Sequence, residues 1–348
     1  MTSSLDKMIA LRESMKFEIV GQEEIINRLL IGILCNGNLL VEGLPGLAKT
    51  RAIKALSNNI EGDFKRIQFT PDLQSTDITG REDFTKGEDG ERIYEFIKGP
   101  IFSNIVLADE INRAPSRVQN SLLEAMEERQ VTVAAVSHKM PQLFMVMATQ
   151  NPVNQEGTFA LPEAQMDRFL MHVSIDYPDE KAEAEIIRLV RSEEGKTDEE
   201  KQKDKEAAGK RRVLTLQEEI FTARQEVIDI HVPEHVERYI VNLIFSTRYP
   251  DRYSFELKSL IEVGASPRGS LALDRCSRAC AWLKGKDHVE IEDVQQMIYP
   301  TLRHRLTKGE RAIKHKVSPD EIIDDILELV PVPKEGEEDS GPIKPPTL

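Results

Sequence analysis

The chain has 348 residues, 40% of them hydrophobic, enough to build a large domain and a smaller one, each with its own core. Its 60 acidic and 46 basic residues leave a net charge of −14 at pH 7, which argues against a general affinity for nucleic acid or for anionic membranes. No run of about 18 apolar residues occurs, so no membrane insertion is expected.

The stretch from Met1 to Lys16 carries Asp6 and Glu13 and lacks the apolar core of a secretory signal. With only three cysteines, Cys35, Cys276 and Cys280, the expected location is the reducing cytoplasm. Cys276 and Cys280 lie one helical turn apart without a second pair, which reads as buried thiols rather than a metal site.

Residues 5 to 37 predict two helices, the second marked by Ile25, Ile26, Leu29, Leu30 and Ile33. Between them, Val20-Gly21-Gln22 has two readings: a surface for an adenine ring, or a plain turn into a helix. The apolar run Asn38 to Glu42 then predicts a strand leading into Gly43-Leu44-Pro45-Gly46-Leu47-Ala48-Lys49-Thr50, with a helix from Arg51. Strand, glycine-bearing loop and helix N-terminus in that order predict a phosphate cradle. Backbone N–H groups near Gly43 and Gly46 would turn toward a polyphosphate, Lys49 would bring a cation to its terminal phosphates, and Thr50 would place a hydroxyl on magnesium. Ala48 stands where the usual motif has glycine, and its methyl is compatible with a helical backbone. Gly43, Gly46, Leu47, Ala48, Lys49, Thr50 and Arg51 are the candidate ATP contacts. A strand-to-helix turn needing its glycines only for packing is the competing reading.

Lys65 to Thr70 predicts a short strand and Pro71 to Thr79 a short helix. Gly80 to Gly99, around Ile93-Tyr94-Glu95-Phe96-Ile97, predicts an inserted hairpin. Asn104 to Glu110 reads as a buried strand ending in two carboxylates. Asp109 there could hold magnesium and Glu110 could polarise the water that attacks the γ-phosphate; a helix cap is the alternative. A helix is expected over 115–128, a second hairpin over 130–140, and a buried strand over Leu143 to Thr149. Asn151, just beyond it, could reach the attacking water and the γ-phosphate, or serve as a turn residue. Arg168, before a last strand ending near Ser174, is either a surface ion pair or an arginine finger.

From Tyr177 the composition shifts toward long helices. Residues 193–212 contain seven acids and seven bases, a solvated connector. His231 and His235 flank Pro233 with no acidic third ligand suggested, so zinc is not expected there. The Pro, Glu and Gly content after Pro331 predicts a disordered tail.

With these motifs in order, the chain resembles the MoxR family of AAA+ ATPases over roughly residues 5–330. Gly43 to Thr50 is similar to that family's Walker A, Asp109-Glu110-Ile111-Asn112-Arg113-Ala114 to its Walker B, and Ala148-Thr149-Gln150-Asn151-Pro152 to its sensor-1 strand. Asp167-Arg168-Phe169 resembles its arginine-finger segment and Ser266-Pro267-Arg268-Gly269 its sensor-2 turn. The resemblance implies an α/β fold with a P-loop parallel five-stranded sheet of order 5-1-4-3-2, helices on both faces, and a small all-α lid. It divides the chain into a nucleotide-binding domain over 1–178, a connector over 179–212, a lid over 213–330 and a tail over 331–348. It also implies catalytic roles for Glu110, Asn151, Arg168 and Arg268, a magnesium site at Thr50 and Asp109, and a hexameric ring. Its members are thought to assemble, remodel or metallate protein complexes, often with a von Willebrand factor A domain partner. A slow assembly switch that recruits a partner without remodelling it is the alternative, and a nucleic-acid motor is disfavoured by the charge.

Overall fold

The computed structural model describes residues 3–19, 21–43, 49–86, 92–150, 159, 161–175, 177, 180–194 and 214–336. Chain contacts divide it into two units, one of residues 1–160 and 173–222, the other of 161–172 and 223–348.

The first unit opens with helices α1 (Ser4–Glu18) and α2 (Glu23–Leu34). Ser3 starts α1 through a capping box, its hydroxyl accepting from Asp6 N at 3.1 Å while Asp6 accepts from Ser3 N at 3.1 Å. Strand β1 (Leu39–Gly43) and helix α3 (Lys49–Asn58) flank the glycine-bearing loop, and β2 (Phe64–Gln68) follows. Helix α4 is confined to Ser75–Thr79 rather than starting at Pro71, because Gln74 and Asp77 form a capping box that fixes its first turn at Ser75. Strands β3 (Gly80–Lys86) and β4 (Arg92–Lys98) make the first hairpin. Gly80 begins it with φ 91°, where an added Cβ would lie 2.1 Å from Ile97 O. Strand β5 (Ile105–Asp109), helix α5 (Ser116–Glu128), the hairpin β6 (Gln130–Val133) with β7 (Val136–Lys139), and β8 (Met145–Gln150) complete the run of alternating elements.

The main sheet has the order β2-β5-β8-β1-β9, with β9 spanning Met171–Ile175. Counted along the sheet strands alone, this is the expected 5-1-4-3-2. Burial follows position: all six residues of central β8 are buried, whereas edge strand β2 exposes Lys65, Arg66 and Gln68. The β1, β2, β5 and β8 pairings are parallel, and their register brings Glu42 opposite Gln150 and Gln68 opposite Asp109. The carboxyl ends of these strands therefore share one edge, the side where open α/β sheets bind ligands.

Helices α6 (Glu163–Met166), α7 (Glu180–Glu194) and α8 (Gln217–Ile228) precede the helical part of the second unit. That part contains α9 (Glu234–Arg248), α10 (Phe255–Leu260), α11 (Pro267–Leu283), α12 (Ile291–Leu302), α13 (Glu310–His315) and α14 (Pro319–Leu329), with a short pairing of β10 (Ile261–Val263) and β11 (Thr307–Lys308). Ser266 caps α11 by accepting from Arg268 N, and Pro267 supplies its first position. Leu273, Cys276, Ala279 and Cys280 of α11 are buried, as are Val294, Met297 and Ile298 of α12, which packs against it. Both α11 cysteines are core thiols, as their spacing predicts. In this division residues 161–172 group with the helices, and Arg303, His304 and Arg305 bond to them. The parts of the connector and tail at 195–213 and 337–348 lie outside the described residues.

Candidate nucleotide site

Strand β1 delivers Gly43 to the sheet's carboxyl edge, where an added Cβ would lie 2.8 Å from Ile175 O of β9, so this position has no room for a side chain. Lys49 begins α3, its Nζ donating to Gly43 O at 2.6 Å. Burial pushes the Lys49 ammonium below its ordinary range, and the charges of Asp109, Glu110 and Glu42 oppose that shift. A half-buried cation facing three carboxylates at a helix N-terminus is suited to a polyphosphate carrying a divalent ion. Thr50 and Arg51 lie in the first turn of α3, Thr50 half-buried and Arg51 exposed.

Strand β5 ends in Asp109. Its Oδ1 accepts from Thr149 Oγ1 at 2.6 Å, and its Oδ2 accepts from Arg66 at 2.6 Å (Nη2) and 3.0 Å (Nε). The next residue turns sharply: Glu110 has φ 56° and ψ 48°, a left-handed conformation that costs a non-glycine residue about 1–2 kcal/mol. Thr149 supports that turn by accepting from Glu110 N at 2.9 Å. The Glu110 carboxylate accepts from Gln68 Nε2 at 2.9 Å and Arg113 Nη1 at 3.0 Å.

Motif reasoning left Arg66, Gln68, Arg113 and Thr149 without roles. The detectable signal was the polar alternation of Arg66 and Gln68 on β2, which puts both on one face opposite the acidic strand end. Of the adenine candidates, Gly21 has φ 75° and Gln22 stands at the N-cap position of α2 without a side-chain capping bond, its Oε1 buried and lacking a hydrogen-bond partner among the described residues. Val20, Gly46, Leu47, Ala48 and Asn151 lie outside the described residues.

The donor set fits the groups the sequence implies. Thr50 and Asp109 offer the hard oxygens magnesium prefers, Lys49 offers the phosphate cation, and Gln22 offers an unsatisfied acceptor to an exocyclic amine. The remaining candidates belong to the second unit. Arg168 is exposed after α6, and Arg268, in the first turn of α11, faces Asp167 Oδ2 with its Nη1 at 3.4 Å.

Residues 38–171 match the ATPase family associated with various cellular activities (AAA), and residues 257–326 match the AAA lid domain. The chain is 40% identical to Chaperone MoxR1 of Mycobacterium tuberculosis over 91% of its own length and 80% of that protein's. The chain belongs to the MoxR family of AAA+ ATPases. Protein MoxR of Methylorubrum extorquens is 31% identical over 90% of this chain and 92% of that one. The crystal structure of a candidate ATPase from Cytophaga hutchinsonii superposes with a TM-score of 0.83 at 38% identity, covering 95% and 96% of the two chains. As a MoxR-family member the chain is an ATPase, with a five-stranded parallel α/β sheet and a helical lid. Among the described residues no helix is long and apolar enough to cross a membrane.

Proposed function

We propose that the chain hydrolyses ATP between Lys49 and the Asp109–Glu110 pair, as one subunit of a ring that works on protein clients in a chaperone-like way. The supporting observation is the convergence on one sheet edge of a half-buried lysine and the carboxylates whose charges act on it. Lys49 exchanges its contact with Gly43 O for the β- and γ-phosphates, and the loop and α3 N-terminus supply backbone donors. Thr50 and Asp109 would hold magnesium, which would supply positive charge against the phosphates. Glu110 takes the proton of the attacking water, and its left-handed backbone presents the carboxylate beyond the strand end. Asn151 orients that water, Arg268 senses the nucleotide, and Arg168 serves the ATP of a neighbouring subunit.

One observation favours a second reading, the slow assembly switch: Glu110 is engaged by Gln68 and Arg113, and must leave both to act as a base. Stimulation of turnover by a client supports remodelling, and turnover indifferent to every client supports the switch. A hexamer, a von Willebrand factor A domain partner, metal insertion into clients and a cytoplasmic location are the finer parts of this reading, and they rest on the family resemblance.

The test mixes two variants, Arg168→Ala and Glu110→Gln, each nearly inactive alone. Some interfaces of a mixed ring pair an intact Glu110 with an intact Arg168, so activity returns in part. If mixed oligomers form without regaining activity, Arg168 does not act across subunits.

A further inference from the structure

The peptide that follows Glu110 is a single 3-10 turn, Ile111–Arg113, and its carbonyls can be followed one by one. Glu110 O accepts from Arg113 N at 2.9 Å, which closes the turn, and Asn112 O accepts from Phe159 N at 2.6 Å. Ile111 O and Ala114 O, at the two ends of the turn, accept from one side-chain nitrogen, Gln119 Nε2, at 3.3 and 3.0 Å. Gln119 lies in the first turn of α5 and is fully buried. Two carbonyls on one side leave no choice of amide orientation: the NH2 group must face them, and Oε1 points away, buried without a hydrogen-bond partner among the described residues. For packing alone an apolar side chain would serve better here, since the amide bears the desolvation of that oxygen. Glu110, the turn, Gln119 and Thr149 all belong to the first unit.

We propose that Gln119 is a positioning residue for hydrolysis: by clamping Ile111 O and Ala114 O it fixes the turn that aims the Glu110 carboxylate. At φ 56° and ψ 48°, Glu110 holds a conformation that a residue with a side chain keeps only when the chain around it is fastened. On its N-terminal side Thr149 Oγ1 accepts from Glu110 N at 2.9 Å while donating to Asp109 Oδ1 at 2.6 Å. On its C-terminal side the fastening is Gln119. The same turn brings Arg113 round to Glu110, with Nη1 at 3.0 Å from Oε2. Without the amide the turn can relax toward an ordinary backbone conformation, and the carboxylate at its start swings with it. The inference rests on the reading of Glu110 as the base that takes the water's proton.

Gln119→Met in the full chain tests it, because methionine keeps the length and the bulk of the side chain and removes the donor. A misplaced catalytic group costs up to about 10²-fold in rate, so single-turnover hydrolysis should slow about 10- to 100-fold while the ATP Kd stays within about threefold. Added to Glu110→Gln, the same substitution should slow the remaining reaction by less than about twofold, because no base is left to position; a merely structural loss would multiply with it. The inference is overturned if folded Gln119→Met hydrolyses ATP within about twofold of the parent, or if its full loss reappears on top of Glu110→Gln. Either result leaves the reading of Glu110 intact, whereas a Glu110→Gln protein with the parental rate removes both.

If Gln119→Met does not fold, Gln119→Asn is measured in the same way. It retains a buried amide but is one methylene too short to span Ile111 O and Ala114 O, so the same slowing is expected. Parental turnover by Gln119→Asn, or failure of both variants to fold, makes Gln119 a residue of the core alone and overturns the inference.

Discussion

The carboxylates at the end of β5 and the carboxylate of Asp167 both sit among arginines, yet the two settings differ in how reversibly they are held. Asp109 and Glu110 are held by Arg66 and Arg113, whose side chains are 48% and 43% exposed. Such pairs break at little cost, because water and salt replace what is lost. Asp167 is held by Arg305, which is buried and also donates to the carbonyls of Asp167, Phe169, Leu170 and Thr301, so breaking that pair strands several groups at once. The proposed nucleotide site is thus built from exposed pairs, and the segment before β9 is fastened to the helices of its unit by a buried one.

The largest effect on nucleotide binding should come from Lys49→Ala, which removes the cation at the cradle. Losing a charged hydrogen-bond donor costs about 1.5–3 kcal/mol, so ATP should bind about 10- to 100-fold more weakly in a titration with a fluorescent analogue. Parental affinity would remove the cradle assignment.

Arg305→Met should destabilise the helical unit by about 3–5 kcal/mol, since it takes the buried guanidinium from the Asp167 carboxylate and from the carbonyls of Asp167, Phe169, Leu170 and Thr301, of which Phe169 O keeps His304 as a donor. The chain's one tryptophan, Trp282, lies buried in α11, so its fluorescence during urea unfolding reports on this unit. A shift below about 1 kcal/mol would erase the contrast with the β5 end.

This fastening should also weaken in acid. Burial, with Arg305 and His172 and then Arg303 adding to it, holds the fully enclosed His304 well below 6.5, and the bond to Phe169 O opposes this only in part. The unfolded chain therefore binds more protons than the folded one below that value, so stability rises with pH up to about 6.5 and is lost as pH falls beneath it. The slope is at most about 1.4 kcal/mol per pH unit for one group. The urea midpoint read by Trp282 should drop between about pH 7 and pH 5, and His304→Gln, which retains a donor for Phe169 O, should flatten that drop. Equal acid sensitivity in both proteins would assign the effect elsewhere.

The smallest effect belongs to Arg66→Met, whose pair with Asp109 is exposed; urea unfolding followed by circular dichroism should change by about 0–1 kcal/mol. A loss comparable to that of Arg305→Met would show that Asp109 needs its arginine for folding.

The cradle and the acidic strand end were legible because their chemistry is encoded locally: Gly43 ends the strand where a side chain has no room, Lys49 opens the next helix, and Asp109–Glu110 end a buried strand. The sheet order came from the family resemblance, and the parallel register bears it out. What stayed hidden is what register and packing bring together across the sequence. Arg66 and Gln68 reach the carboxylates only because β2 pairs with β5, and Thr149 only because β8 lies on β5's other side. Arg305 gave no local signal, since one arginine in a basic stretch after a helix reads as surface. Its burial against Asp167 exists only in the folded chain, and it explains why residues 161–172 group with the helices rather than with the preceding sheet.

The central claim is that Glu110 performs the chemistry on ATP held at Lys49, and single-turnover hydrolysis by Glu110→Gln tests it most directly. The amide keeps the shape of the side chain and removes its basicity. The account predicts ATP affinity within about threefold of the parent and a chemical step slowed by at least about 10²-fold. An unchanged single-turnover rate at saturating ATP would contradict it and leave Glu110 as the residue that turns the chain after β5.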